Sequence, residues 1–181
     1  MQHNNIQKIR NIIWSKVFNN NDLLFYAILD SARDESIFAK LVTSEIEQLC
    51  LYNKEQSLDL AEVAPYIVLL HKEDSFTKWF FDKGWGRSWG ILFSSSASLF
   101  ELKKHFEQFI TVSDEKGNIL FFRFYDPRVL RVFLPTCNNE QLSDIFDLIR
   151  CFYLEGEDNS LVNQYSFKDD QLNHHQFPTY E

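Results

Sequence analysis

The chain has 181 residues, 45% of them hydrophobic and 16% aromatic, with phenylalanine used 18 times and a formal net charge of −8. That length suits one ordinary domain, and the apolar content excludes wholesale disorder. The acidic balance argues against a general nucleic-acid binder, which carries a basic surface, and against adhesion to an anionic membrane.

In chain order, Ile6, Ile9, Ile13 and Val17 form a stripe at helical spacing, which predicts an amphipathic helix over about 5–18. Asn19, Asn20, Asn21 and Asp22 break it. LLFYAIL at 23–29 is apolar throughout and suits a strand buried on both faces. Asp34 can cap a helix whose inner side is Ile37, Phe38, Leu41 and Val42. A short strand is expected at 49–52, then a polar loop at 53–57, then a second buried strand at 66–70 opened by Pro65. Ser75 is positioned to cap a helix that passes Trp79 and Phe81 and ends near Gly84, and 89–93 reads as another strand.

The segment 98–109 is the clearest helix, with Leu99, Leu102, Phe106 and Phe109 on one face. Residues 110–112 and 119–125 read as a β-hairpin around a turn in which Gly117 is free to take positive φ. A last helix runs from Asn139 to about Tyr153. Alternating strands and helices with one hairpin predict an α/β fold, a mixed sheet with flanking helices. Residues 1–153 read as one domain that includes the N-terminal helix, and 154–181 as an acidic C-terminal segment. From Glu155 onward that segment carries six acidic residues against Lys168 alone, which reads as a partner-binding strip or, more simply, as a solvated end.

The start, MQHNNIQKIR, lacks the layout of a signal peptide, and no apolar run approaches the roughly 20 residues of a spanning helix. Cys50, Cys137 and Cys151 are odd in number and widely spaced, so they fit neither a disulfide framework nor a CxxC site. A reducing cytoplasm is the expected compartment.

The most informative string is FFRFYDPRVLRVFLP at 121–135. Read as a strand, it sets Arg123 among apolar neighbours, where a guanidinium that cannot lose its proton needs a carboxylate or several carbonyls. Asp30, directly after the first buried strand, is the preferred partner; the alternative is that Arg123 binds a carboxylate of another protein. Asp126 suits a helix N-cap with Pro127 at the first helical position. Arg128 and Arg131, three apart on that helix and close to Tyr125, form a basic edge, with outward-pointing heads expected. Trp85 lies between Gly84 and Gly86 and is expected to be the most exposed tryptophan of its segment. Tyr125, Arg128, Arg131 and Trp85 are therefore the candidate partner-binding residues, while Arg123, Asp30 and Asp126 are the candidate structural pair and cap.

Enzyme signatures are absent: the chain has no GxSxG, HExxH, P-loop or GxGxxG. Ser94, Ser95 and Ser96 suit a helix cap better than a nucleophile. His105 suits a helix face, and the adjacent His174 and His175 form no closed metal site by themselves. Cys137 has no visible histidine partner. Neither a metal nor an organic cofactor is expected.

YAILDSARD (26–34), LAEVAPYIVLL (60–70), WGRSWGILFSS (85–95), LFELKKHFEQFITV (99–112) and FRFYDPRVLRVFLP (122–135) occur in this order. With these strings the chain resembles the type VI secretion effector chaperones, or adaptors, a family first catalogued as a domain of unknown function. It departs from many members at His105-Phe106-Glu107, where they carry His-Leu-Arg, and the resemblance stops near Tyr153. It implies a cytoplasmic Gram-negative protein that holds a cognate effector and loads it onto the trimeric spike (valine-glycine repeat) protein. The alternatives are an immunity protein that neutralises a toxin, and a hydrolase or transferase of unrecognised type.

Overall fold

Residues 2–17, 22–53, 59–113, 115–158 and 160–179 are described by a computed structural model. Helix α1 (Gln2–Val17) precedes β1 (Leu24–Asp30), α2 (Glu35–Val42), β2 (Gln48–Cys50), β3 (Pro65–Leu69), α3 (Ser75–Gly84), β4 (Gly90–Ser95) and α4 (Leu99–Glu107). A small hairpin of β5 (Thr111–Ser113) and β6 (Ile119–Phe121) leads to α5 (Pro127–Phe133) and α6 (Asn139–Phe146). The strands β7 (Cys151–Glu155), β8 (Leu161–Lys168) and β9 (Gln171–Pro178) follow. The side chain of Val17 and the predicted breaks at 19–21 and 54–57 lie outside the described residues.

The large sheet has the order β2-β3-β1-β4-β7-β8-β9. Its strands and flanking helices make the α/β architecture that the sequence predicts. Every pairing is antiparallel, so the sheet expected to be mixed contains no parallel pair among the described residues. Runs such as LFYAILD suggest parallel strands because both faces must be buried. Here two helical layers bury both faces of an antiparallel sheet.

On one face, Ile9, Ile13 and Trp14 of α1, Ile37 and Leu41 of α2, and Phe76, Phe80 and Phe81 of α3 pack on Phe25, Ala27 and Leu29 of β1 and on Leu92 and Tyr153. On the other, Leu102 and Phe106 of α4, Leu130 of α5, and Leu142, Ile145 and Phe146 of α6 pack on Tyr26, Ile28, Phe93 and Phe152. Successive strand residues thus alternate between two cores, as the pleat requires. Each fully buried large apolar side chain contributes about 1.5–3 kcal/mol.

Local details depart from the sequence reading at four places. Asp74, not Ser75, occupies the cap position of α3, without a side-chain bond. Ser98 rather than the 94–96 serines caps α4, in a capping box with Glu101; Ser94 and Ser95 are buried strand residues. Strand β6 stops at Phe121, so Arg123 and Tyr125 lie in the loop before α5. Helix α6 stops at Phe146, and the run CFYLE is strand β7.

The acidic C-terminal segment is the largest correction. Strand β7 runs across the expected boundary at 153/154, and β8 and β9 extend the same sheet. The β8–β9 turn consists of Asp169 and Asp170, both at positive φ (54° and 56°), with Lys168 opposite Gln171. Two successive positive φ values define the type I′ hairpin, which aspartate tolerates better than most residues.

Candidate functional site

The C-terminal ends of β1 and β7 and the start of β4 meet at one end of the sheet. Asp30, the last residue of β1, donates its N–H to the Trp89 carbonyl just before β4 (2.8 Å). The pairing of Leu92 with Tyr153 brings Glu155, the last residue of β7, to the same end. Three buried carboxylates gather here: Asp30 (1% exposed), Asp126 (3%) and Glu155 (7%). Five of the chain's seven arginines surround them, at 33, 87, 123, 128 and 131.

Each carboxylate fixes a different loop. Asp30 accepts the Ala32 N–H (3.1 Å), which starts a 3-10 turn, and also the Arg123 Nη2–H. Arg123 therefore pins the 122–126 loop across the end of β1. The partners sit unequally, since the Arg123 side chain is 43% exposed. The sequence paired these two residues through a buried strand, whereas the guanidinium reaches Asp30 from a surface loop. Beside the pair, the Tyr125 and Tyr52 hydroxyls share a hydrogen bond, and burial pushes the Tyr125 hydroxyl far above its ordinary range.

Asp126 caps α5 by accepting the Arg128 N–H (2.9 Å), with Pro127 at the helix start. Arg128 folds back on the same carboxylate through Nε (3.0 and 3.2 Å) and Nη2 (2.6 Å). Burial opposes the charge on Asp126, but these bonds outweigh it and hold the carboxyl below its usual range. Arg128 remains mostly exposed. Arg131 does not point outward as expected: it is half-buried, and its Nη1 donates to the Glu155 carbonyl (2.7 Å), tying α5 to β7.

Glu155 is a residue that sequence reasoning missed as part of the site. Its Oε2 accepts the Gly86 N–H (2.5 Å), and its Oε1 accepts the Ser88 N–H (2.8 Å) and Oγ–H (3.0 Å). These bonds hold the 85–88 loop, in which Gly86 (φ 83°) and Ser88 (φ 55°) are both left-handed. For Ser88 that conformation costs energy, and the carboxylate offsets it. Burial raises the Glu155 carboxyl above its ordinary value despite these donors. Its sequence signal was the apolar CFYL run ahead of it, hidden by extending α6 to Tyr153.

The same loop carries Trp85, which is less buried than Trp89. The ring is half-buried and stacks on Phe81 (5.8 Å between centroids, 17° between planes), so it belongs to the α1–α3 core layer. Arg87, two residues on, is exposed instead, and its carbonyl accepts from Arg33 Nη2 (3.3 Å). The exposed arginines of this end are thus Arg33, Arg87, Arg123 and Arg128.

An apolar surface adjoins this end. Val112, Ile119, Leu120 and Phe121 of the β5–β6 hairpin are all exposed, Ile119 by 76%. Phe121 packs its ring near Tyr52 (5.2 Å), two residues before Arg123. Val112 and Leu120 lie on one face of the hairpin and Ile119 and Phe121 on the other, so apolar side chains stand uncovered on both faces, and exposed apolar surface of this kind marks interaction sites.

The other residues weighed for chemistry have structural contacts. His105 is buried, bonds the Ile145 carbonyl through Nε2 (3.1 Å), and is pushed below its ordinary pKa by burial. His174 stacks on Tyr165 (4.3 Å). The Cys137 Sγ–H donates to the Phe133 carbonyl (3.4 Å), and burial raises its thiol, which suppresses the reactive thiolate. Among the described residues, no group of three or more His, Cys, Asp or Glu side chains could hold a metal ion, and no helix is long and apolar enough to cross a membrane.

The fold and site define a helix-covered antiparallel sheet whose one end combines exposed arginines, buried carboxylates and an apolar hairpin. A family model described as "Domain of unknown function (DUF4123)" matches residues 25–144, and the chain belongs to that family. No curated protein and no solved structure matches the chain.

Proposed function

We propose that this protein is a cytoplasmic adaptor that binds a cognate type VI secretion effector and loads it onto the spike protein, without catalysing a reaction. Family membership supports this reading, because the family is the one that the sequence resemblance associates with effector chaperones. The observation that carries it furthest is the convergence of four motif strings on one end of the sheet. YAILDSARD brings Asp30 and Arg33, LAEVAP brings the Ala64 carbonyl that accepts the Ser31 N–H (3.2 Å), WGRS brings Arg87, and FRFYDPR brings Arg123 and Arg128.

In a chain of net charge −8, this end offers exposed guanidinium groups beside an exposed apolar hairpin. Arginine combines contact area with directed hydrogen bonds, so such a surface favours a polypeptide with acidic and apolar side chains. The buried carboxylates hold the arginine-bearing loops in place before binding, which lowers the ordering cost of association. Arg123 has both a structural bond and an exposed head, and it serves both purposes.

The test is deletion of the gene from its host, followed by assay of delivery of the toxin encoded beside it. The adaptor reading predicts that the toxin is still made but no longer exported, and that in the undeleted strain the adaptor stays out of the secreted fraction. Self-poisoning of the deletion strain with export intact would instead identify an immunity protein.

A further inference from the structure

Strand β9 is the long margin of the sheet. Among the described residues it pairs with β8 alone, through eight consecutive residue pairs without a bulge. The margin at the other side, β2, has three residues. Natural edge strands are usually protected by lysines, inward charges, bulges or shortness. The β9 sequence QLNHHQFP contains no Lys, Arg, Asp or Glu, and its single proline stands at the last position.

The register identifies the unpaired groups. Thr179 donates its N–H to the Ser160 carbonyl (2.8 Å), so the bonded pairs recur at every second residue, and Asn173, His175 and their alternates face β8. The main chains of Leu172, His174 and Gln176 therefore face away from the sheet, with Pro178 ending the ladder.

The charges around this margin select its occupant. Asp169 and Asp170, both exposed, stand at the start of β9, and Lys168 pairs with Asp169 (3.8 Å), which leaves one net negative charge there. Exposed Glu157 and Asp158 stand at its other end, because Leu161 pairs with Pro178 and brings the β7–β8 turn alongside. A second copy joined antiparallel through β9 would bring these acidic ends together, which disfavours self-pairing.

We propose that β9 accepts, by strand addition, an extended segment of a partner polypeptide that is uncharged in its middle and basic at both ends. Main-chain bonds to Leu172, His174 and Gln176 supply the affinity, and the acidic ends set which segment fits. The margin lies six strand spacings from β2, about 29 Å across the sheet. The arginine-rich end begins at β7, two strand spacings from this margin, and the inference rests on the edge itself, independent of the effector reading.

The experiment uses the full chain and an eight-residue peptide, Lys-Thr-Val-Thr-Val-Thr-Val-Lys, blocked at both termini. Amide hydrogen exchange is followed at Leu172, His174 and Gln176, with Asn173 and His175 as inward-facing controls. The expected result is at least tenfold slower exchange at the three outward amides. That protection should be lost when the six central peptide residues are N-methylated, and weakened when the terminal lysines are replaced by glutamate. Both changes lie in the peptide, so the folding of the protein is not at issue. Unchanged exchange at these amides, or equal protection by the glutamate-ended peptide, overturns the proposal. Slow exchange there in a dimeric, peptide-free protein also overturns it, by assigning the edge to a second copy.

Discussion

At the residue scale, the three buried carboxylates differ in what their loss would do. Asp30 keeps the Ala32 N–H when Arg123 is removed, and Arg123 is itself part-exposed. We therefore expect Arg123→Ala to cost about 1–2 kcal/mol, between the values for surface and fully buried pairs. Chemical denaturation measures this, and a loss of 4 kcal/mol would mean that Asp30 depends on the arginine alone. His105 makes a pH prediction. Burial lowers its folded pKa below the ordinary 6.5, so the unfolded chain binds the proton more tightly. The contribution is complete above about pH 6.5 and is lost as pH falls through the window down to the lowered folded value. Melting temperatures of His105→Gln should fall less steeply than wild type between pH 6.5 and 5. Parallel curves for the two proteins would show that the histidine is not the titrating group.

At the element scale, the caps and close approaches are the most testable features. Ser98→Ala removes the acceptor of the Glu101 N–H and should cost about 1 kcal/mol of stability, read from the denaturation midpoint. Gly90 begins β4 where a Cβ would overlap the Ile28 carbonyl oxygen, a backbone atom that cannot move alone. Gly90→Ala should therefore cost about 2–3 kcal/mol, with soluble yield falling alongside the melting temperature. These features also explain what the sequence made legible. The runs in β1, β3 and β4 and the stripes of α1 and α4 were readable because apolar periodicity is set by the core. The ends of β6 and α6 were not, because FRFY and IRCFY carry apolar residues past the point where the chain turns. Strands β8 and β9 escaped notice because their alternation is largely polar and their turn is Asp-Asp rather than a glycine pair. The Arg123–Asp30 contact followed from charge logic, whereas the roles of Glu155 and Arg131 required the register of β7, which no local pattern carries.

At the scale of the whole molecule, the chain combines a rigid helix-covered sheet with two distinct kinds of surface: an arginine-rich end beside an apolar hairpin, and a long uncharged edge. A rigid scaffold that presents separate surfaces suits a protein that joins partners. Because Arg131 is tied to β7 and Arg128 to the buried Asp126, charge reversal at either would disturb the fold, and Arg33 and Arg87 are the better probes of the end. Arg33→Glu with Arg87→Glu should leave the melting temperature within a few degrees of wild type, because both heads are exposed. The most direct measurement is size-exclusion chromatography with light scattering on the chain co-expressed with its neighbouring effector and the spike protein. The account predicts one assembly containing all three proteins. It also predicts that the double arginine variant, though folded, releases the effector at least tenfold more readily. An effector that stays bound to the folded variant at wild-type affinity, or an effector and spike that assemble equally well without this chain, would contradict it.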